Sequence, residues 1–156
     1  MNLFVKCVLS ILLPLIVGGV SGFFTASSIE GWYITLNKPW FNPPNWIFGP
    51  VWTLLYLMMG IAFFLIWKSG APADTKKIAM TAYFVQLAFN FAWSLIFFYM
   101  EQPGWALVDI LLMWAAIFYT IIAFGKISTS AAWMLVPYIS WVSFATVLNF
   151  AIWKLN

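Results

Sequence analysis

Residues 32–56 read WYITLNKPWFNPPNWIFGPVWTLLY, and this stretch decides how the chain is built. Four prolines, Pro39, Pro43, Pro44 and Pro50, are set among four tryptophans, Trp32, Trp40, Trp46 and Trp52. Proline fixes its own φ and drives the preceding residue towards extended geometry, so a stiff, non-helical segment is predicted. Tryptophan joins a large apolar face to a single N–H donor, which suits a membrane interface or a flat ligand. A rigid aromatic loop running into a helix has the makings of a lid and one wall of a pocket. The same tryptophans serve equally well as interfacial anchors alone. Working outward, the stretch joins two apolar runs of membrane-spanning length.

Of the 156 residues, 65% are hydrophobic and only 7% charged, and the mean hydropathy is +0.97. Soluble domains carry about 25% charged residues. This chain cannot cover a water-facing surface, so an all-α integral membrane bundle is predicted, with a single domain of five transmembrane helices at about 20 residues each. Seven lysines, four acids and no arginine leave a net charge of +3 and no dense basic face for nucleic acid. Histidine is absent, which removes the commonest metal ligand, haem ligand and general base together. No metal site and no catalytic triad are predicted. The single cysteine, Cys7, precludes an internal disulfide and reads as a small packing residue.

The spans are placed at about 4–26, 46–67, 78–100, 105–124 and 131–153, with a covering loop at about 27–45. In the first, Gly18, Gly22 and Ala26 recur at four-residue spacing, which lets another helix approach closely. The length of that run argues for a retained span over a signal peptide. In the second, Trp52, Leu55, Tyr56 and Met59 share one helical face, and Pro50 sits in the first turn, where its missing N–H matters least. In the third, Gln86, Asn90 and Trp93 share a face; amides in hydrocarbon point into a bundle, where they find partners. In the fourth, Asp109 is the only acid within a span, read as a cap or interhelical hydrogen bond ahead of a proton relay. In the fifth, Pro137 is expected to bend the helix, and Trp141, Ala145 and Leu148 share a face. The small-residue stripes, with Ala88 and Ala92 in the third span, suit a dimer interface or packing within one chain.

Five spans put Lys6, Lys68, Lys76, Lys77 and Lys126 at one end with Asp74, and Lys38 and Lys154 at the other with Glu30 and Glu101. The positive-inside rule then predicts a cytoplasmic N-terminus and an external tryptophan/proline loop.

These residues also carry a resemblance. Trp32-Tyr33, Leu36-Asn37-Lys38-Pro39-Trp40, Asn42-Pro43-Pro44, Val51-Trp52 and Leu55-Tyr56 resemble the signature of the tryptophan-rich sensory protein family, which includes the translocator protein or peripheral-type benzodiazepine receptor. The likeness continues through Gln86-Leu87, Asn90 and Trp93-Ser94, then Val136-Pro137-Tyr138, Trp141, Ala145-Thr146 and Leu148-Asn149. It covers nearly the whole chain in the family's order and spacing. The minimal tail and the lack of a targeting segment resemble bacterial more than mitochondrial members, and imply a bacterial cell membrane.

The resemblance implies a five-helix membrane protein, commonly a homodimer, with a pocket beneath the loop joining helices one and two. The implied ligands are porphyrins such as protoporphyrin IX, and drugs of the isoquinoline carboxamide or benzodiazepine type. No bound cofactor is implied. Carried over by motif, Tyr33 and Pro43 come from the loop, Trp52 from the second helix, Gln86, Asn90 and Trp93 from the third, and Trp141, Ala145 and Leu148 from the fifth. Leu55 joins them from the Trp52 face.

The family's proposed sterol motif departs here: Phe150 stands where a tyrosine is required, ahead of Lys154. Such motifs are weak even when complete, and sterol recognition is not predicted. The implied function is a membrane receptor or transporter for porphyrins. One alternative is light- or oxygen-dependent porphyrin breakdown with Trp52 and Trp141 as redox-active groups. Another is a lipid transporter or scaffold, although no charged pathway crosses the spans.

Overall fold

The computed structural model describes residues 1–156, all of them in helices, turns and loops. Helix α1 spans Leu3–Glu30, α2 Phe48–Trp67, α3 Ala73–Ser94, α4 Pro103–Gly125, α5 Thr129–Met134 and α6 Val136–Leu155. Counting α5 and α6 as one span, five segments are long and apolar enough to cross a membrane. In hydrocarbon every backbone N–H and C=O must find its partner inside the segment, which is why the apolar runs are helical throughout. The 23 residues of α4 reach about 35 Å, enough for a hydrocarbon layer of about 30 Å.

Local chemistry sets the ends. Asn2 caps α1 by accepting from the Val5 N–H at 2.9 Å, and α1 runs on to Glu30, beyond the expected end near residue 26. Pro103 occupies the first turn of α4, where its missing N–H is harmless. The tight turn before it puts Glu101 at φ 55°, a left-handed conformation seldom taken outside glycine. The last turn of α3 widens into a π-helix at Leu95–Tyr99. At the foot of the fifth span the chain breaks at Leu135, where Pro137 removes a donor and α6 starts afresh. The expected bend is therefore an interruption.

The buried apolar core is drawn from α2 to α6 and the loop; α1 adds no residue to it. The buried positions of α1 are Ser10, Pro14, Ser21 and Thr25, all small or polar. Two glycines let α1 and α2 close up. A Cβ on Gly60 would stand 2.7 Å from the Ile11 Cα, and one on Gly18 would stand 2.5 Å from the Tyr56 ring. Gly18 thus packs within the chain, whereas Gly22 from the same stripe faces open space.

The polar groups inside the bundle form one chain of bonds. Tyr56 donates to Asn90 Oδ1 at 2.6 Å, Asn90 Nδ2 donates to the Tyr138 hydroxyl at 2.8 Å, and Tyr138 donates to Gln86 Oε1 at 2.7 Å. It ties α2, α3 and α6 at mid-depth, and satisfied networks of this kind fix one arrangement of a core. Asp109 differs: it is buried, and its Oδ2 has no hydrogen-bond partner in the protein, so the expected interhelical bond is not made by that oxygen.

Candidate ligand-binding site

Between the loop and the polar chain lies an aromatic cavity. Tyr33 comes from the loop, Phe48 and Trp52 from α2, Trp93, Phe97 and Phe98 from α3 and its π turn, and Trp141, Phe144, Ala145, Leu148, Asn149 and Ile152 from α6. Its volume is about 30 Å³, room for a water or two. The rings fill it themselves. Trp52 stands 6.4 Å from Trp93, 5.7 Å from Tyr56 and 6.3 Å from Tyr138; Trp93 stacks on Phe97 at 5.4 Å, and Trp141 meets Phe48 at 6.2 Å. Each such pair adds about 0.5–1.5 kcal/mol to simple burial.

Two indole N–H groups in the wall differ. Trp93 Nε1 donates to Asn149 Oδ1 at 3.0 Å, and Asn149 Nδ2 continues to the Pro103 carbonyl at 2.8 Å, tying α3, α6 and the start of α4. Trp141 Nε1 is buried and has no partner. A stranded donor of that kind costs about 1–3 kcal/mol, and native structures contain few of them.

The loop closes the top. The Tyr33 hydroxyl donates to Asn42 Oδ1 at 2.8 Å, and the phenol is 2% exposed. Burial pushes its pKa up to about 12, partly opposed by the Asn42 bond. Lys38 sits 4.7 Å from the centre of the Tyr33 ring and donates to the Leu36 carbonyl at 3.2 Å. Asn156 clasps the far side, accepting from the Asn37 N–H at 3.0 Å and donating to its carbonyl at 2.9 Å. Of the four tryptophans of the loop stretch, Trp40 and Trp46 point outward as interface residues do, while Trp32 and Trp52 pack inward.

Beside this cavity, separated from it by aromatic side chains, lies a groove of about 430 Å³ between α1, α2 and α3. Gly18, Gly19, Gly22, Ser21 and Thr25 form its α1 side; Phe48, Trp52, Trp93 and Phe98 line both spaces. Ser21 Oγ in this groove is also buried without a partner.

Of the sequence-derived site residues, the structure brings six together at the cavity: Tyr33, Trp52, Trp93, Trp141, Ala145 and Leu148. Gln86 and Asn90 share their face with Trp93, as expected, but lie deeper, where their amides are committed to Tyr138 and Tyr56. They form the floor under Trp52 instead of the wall. Leu55 is buried in the core, and Pro43 holds the loop without lining the cavity. Phe48, Phe97, Phe98, Phe144, Asn149 and Ile152 are additions. A longer helical period contains most of them: 48 lies four before 52, 97 four after 93, and 144 and 152 continue the face of 141, 145 and 148. Phe98 joins only because the π turn adds a residue to the helix.

A family model described as the TspO/MBR family matches residues 10–154. Tryptophan-rich protein TspO of Archaeoglobus fulgidus is 44% identical over 151 residues, 97% of each chain. Translocator protein of Homo sapiens is 44% identical over 126 residues, 80% of this chain and 75% of that one. Tryptophan-rich sensory protein of Cereibacter sphaeroides is 40% identical over 127 residues, 81% of this chain and 78% of that one.

Proposed function

The chain belongs to the TspO/MBR family of multi-pass membrane proteins, and on that premise we propose that it is a receptor for porphyrins of the protoporphyrin IX type. Flat apolar molecules such as isoquinoline carboxamides would occupy the same place, beneath the loop between α1 and α2. The observation that carries this reading is the Trp141 indole N–H, buried in an aromatic wall with nothing to donate to. A ring nitrogen, carbonyl or propionate of a bound molecule satisfies it, and the surrounding indole and phenyl faces stack on a planar ring.

A cavity of about 30 Å³ does not admit a ligand whose pocket runs to about 300–1,000 Å³. Space must come from the neighbouring groove, and the four shared side chains are the partition. Rotation of Trp52 and Phe98 joins the two volumes, so the ligand enters sideways from the lipid with the loop still clasped. Porphyrin is itself a membrane-soluble molecule, and the glycine-bearing face of α1 forms the outer side of this groove. Orientation follows from charge: the lysine-rich end is cytoplasmic and the loop external, in a bacterial cell membrane. The outward-facing Ala88 on α3 leaves room for a second copy, in keeping with a homodimer.

The test is quenching of tryptophan fluorescence by protoporphyrin IX, in wild type and in Trp52→Phe/Trp141→Phe. Saturable quenching that weakens in the variant supports the reading. Equal or unsaturable quenching in both removes it, and Trp52 and Trp141 are then core-packing residues. Illumination of the same samples separates a binder from a porphyrin-degrading enzyme by the product spectrum.

A further inference from the structure

At the lysine-rich end, remote from the aromatic cavity, the outer side of the α3/α4 contact carries two adjoining hollows of about 420 and 150 Å³. Ile78 and Tyr119 border both, so the hollows meet. Lys77 lies at the edge of the larger and Lys126 at the edge of the smaller. Neither lysine is committed elsewhere. Lys76, by contrast, is spent on the Trp67 and Ser69 carbonyls at 3.2 and 2.6 Å, whereas Lys77 and Lys126 are exposed and make no such bond. Thr75 and Tyr119 add hydroxyl groups between them. The first turn of α3 has no side-chain cap, because Pro72 stands at that position, so its N–H groups also favour an anion. Asp74 in that turn is the one opposing charge.

Deeper in, the character changes. Along α3 the lining passes from Lys77 through Thr81 to Val85, and along α4 from Lys126 through Tyr119 to Ala116. At 1.5 Å per residue the whole lining runs about 12–15 Å from the lysines to Val85 and Ala116, and its far end is apolar and open to the lipid. Two free cations and hydroxyls at the mouth, with an apolar trough continuing from them, match one kind of molecule.

We propose that this α3/α4 groove binds an anionic phospholipid, its phosphate held by Lys77 and Lys126 and one acyl chain laid along Val85 and Ala116. Basic hollows between transmembrane helices are the usual seats of such headgroups. A second copy of the chain is a poorer occupant. A two-fold axis through the groove would bring each Lys77 and Lys126 against its equivalent, with no acid except Asp74 to offset them. The inference does not depend on the porphyrin site.

The experiment is native mass spectrometry of the full chain released from nanodiscs of phosphatidylcholine mixed with phosphatidylglycerol. Wild type is expected to retain one phosphatidylglycerol per chain in preference to phosphatidylcholine. Lys77→Gln/Lys126→Gln lowers that preference about tenfold, while Lys6→Gln/Lys68→Gln, with the same loss of charge at the same end, leaves it intact. Ala116→Leu fills the trough and releases the lipid with both lysines present. Equal loss in the two double variants, or equal retention of both lipids by wild type, overturns the proposal. So does retention of phosphatidylglycerol by Ala116→Leu, because the lysines then bind a headgroup or free phosphate with no acyl seat. A lipid-free dimer that Ala116→Leu dissociates assigns the groove to a second copy and overturns it as well.

Discussion

Replacing Asn90 with leucine, close to it in volume, tests whether the chain of polar bonds holds the floor of the ligand site. Asn90 accepts from Tyr56 and donates to Tyr138. After Asn90→Leu, Tyr138 still donates to Gln86 at 2.7 Å, but the Tyr56 hydroxyl has lost its acceptor while its residue is only 5% exposed. A stranded buried donor costs about 1–3 kcal/mol in soluble proteins. Bonds measured within membrane bundles average about 0.6 kcal/mol, so a loss of about 2 kcal/mol is expected. Tyr56→Phe alone strands the Asn90 oxygen and costs about 1–2 kcal/mol. The double variant removes both halves of the same bond and should cost little more than either single change. A coupling of about 1–2 kcal/mol is therefore predicted, within the range seen for residues in direct contact. Equilibrium unfolding in detergent, followed by near-ultraviolet circular dichroism, gives all four corners of the cycle. Strict additivity would refute the reasoning and make the network an incidental packing arrangement. Porphyrin affinity in Asn90→Leu should fall less than in Trp141→Phe, since the amide lies under the site and not in its wall.

Further outcomes follow from individual contacts. Trp141→Phe keeps a ring but deletes the unpartnered N–H, so porphyrin affinity should drop about tenfold with no loss of thermal stability; a titration alongside a melting curve checks both. Gly60→Ala should lower the melting point sharply, because its Cβ meets helix backbone at Ile11 and Ser10, and overpacking costs about 1–3 kcal/mol. Gly22→Leu has open space for its side chain; it should leave the melting point unchanged while slowing porphyrin association in stopped-flow quenching, by narrowing the groove. Tyr33 gives a pH effect. Its pKa is raised in the folded protein, so its contribution to loop closure is complete below the free phenol value of about 10. That contribution is lost as pH climbs towards about 12. Limited proteolysis of the loop should accelerate across that window, and Tyr33→Phe should abolish the step.

Much of the architecture was legible because a membrane leaves few choices. Uncharged runs of sufficient length must be helices, and their number follows from dividing the apolar sequence into spans. The site was legible to the degree that it obeys the helical period, as with Trp52 on α2 and Trp141, Ala145 and Leu148 on α6. Depth was not legible. Gln86, Asn90 and Trp93 share a face, yet the amides sit beneath the cavity and the indole beside it, because periodicity gives direction around a helix and not position along a neighbour. The π turn was invisible too, since LIFFY has no residue that marks an extra i→i+5 bond. Asp109 shows a further limit: an acid one turn inside a helix suggested a partner, and its Oδ2 has none.

The lopsided packing of the first helix has a consequence for assembly. Four spans and the loop hold the whole buried apolar cluster among themselves, while α1 lies against its outside through Leu13, Leu15 and Val17, a few small or polar residues and the two close glycine contacts. The molecule is thus a four-span bundle with a fifth helix fitted closely against its outside. Severed in the loop, the two pieces should find each other again in a bilayer, the shorter one docking onto a scaffold already formed. A chain built that way can be opened along a seam without being unmade.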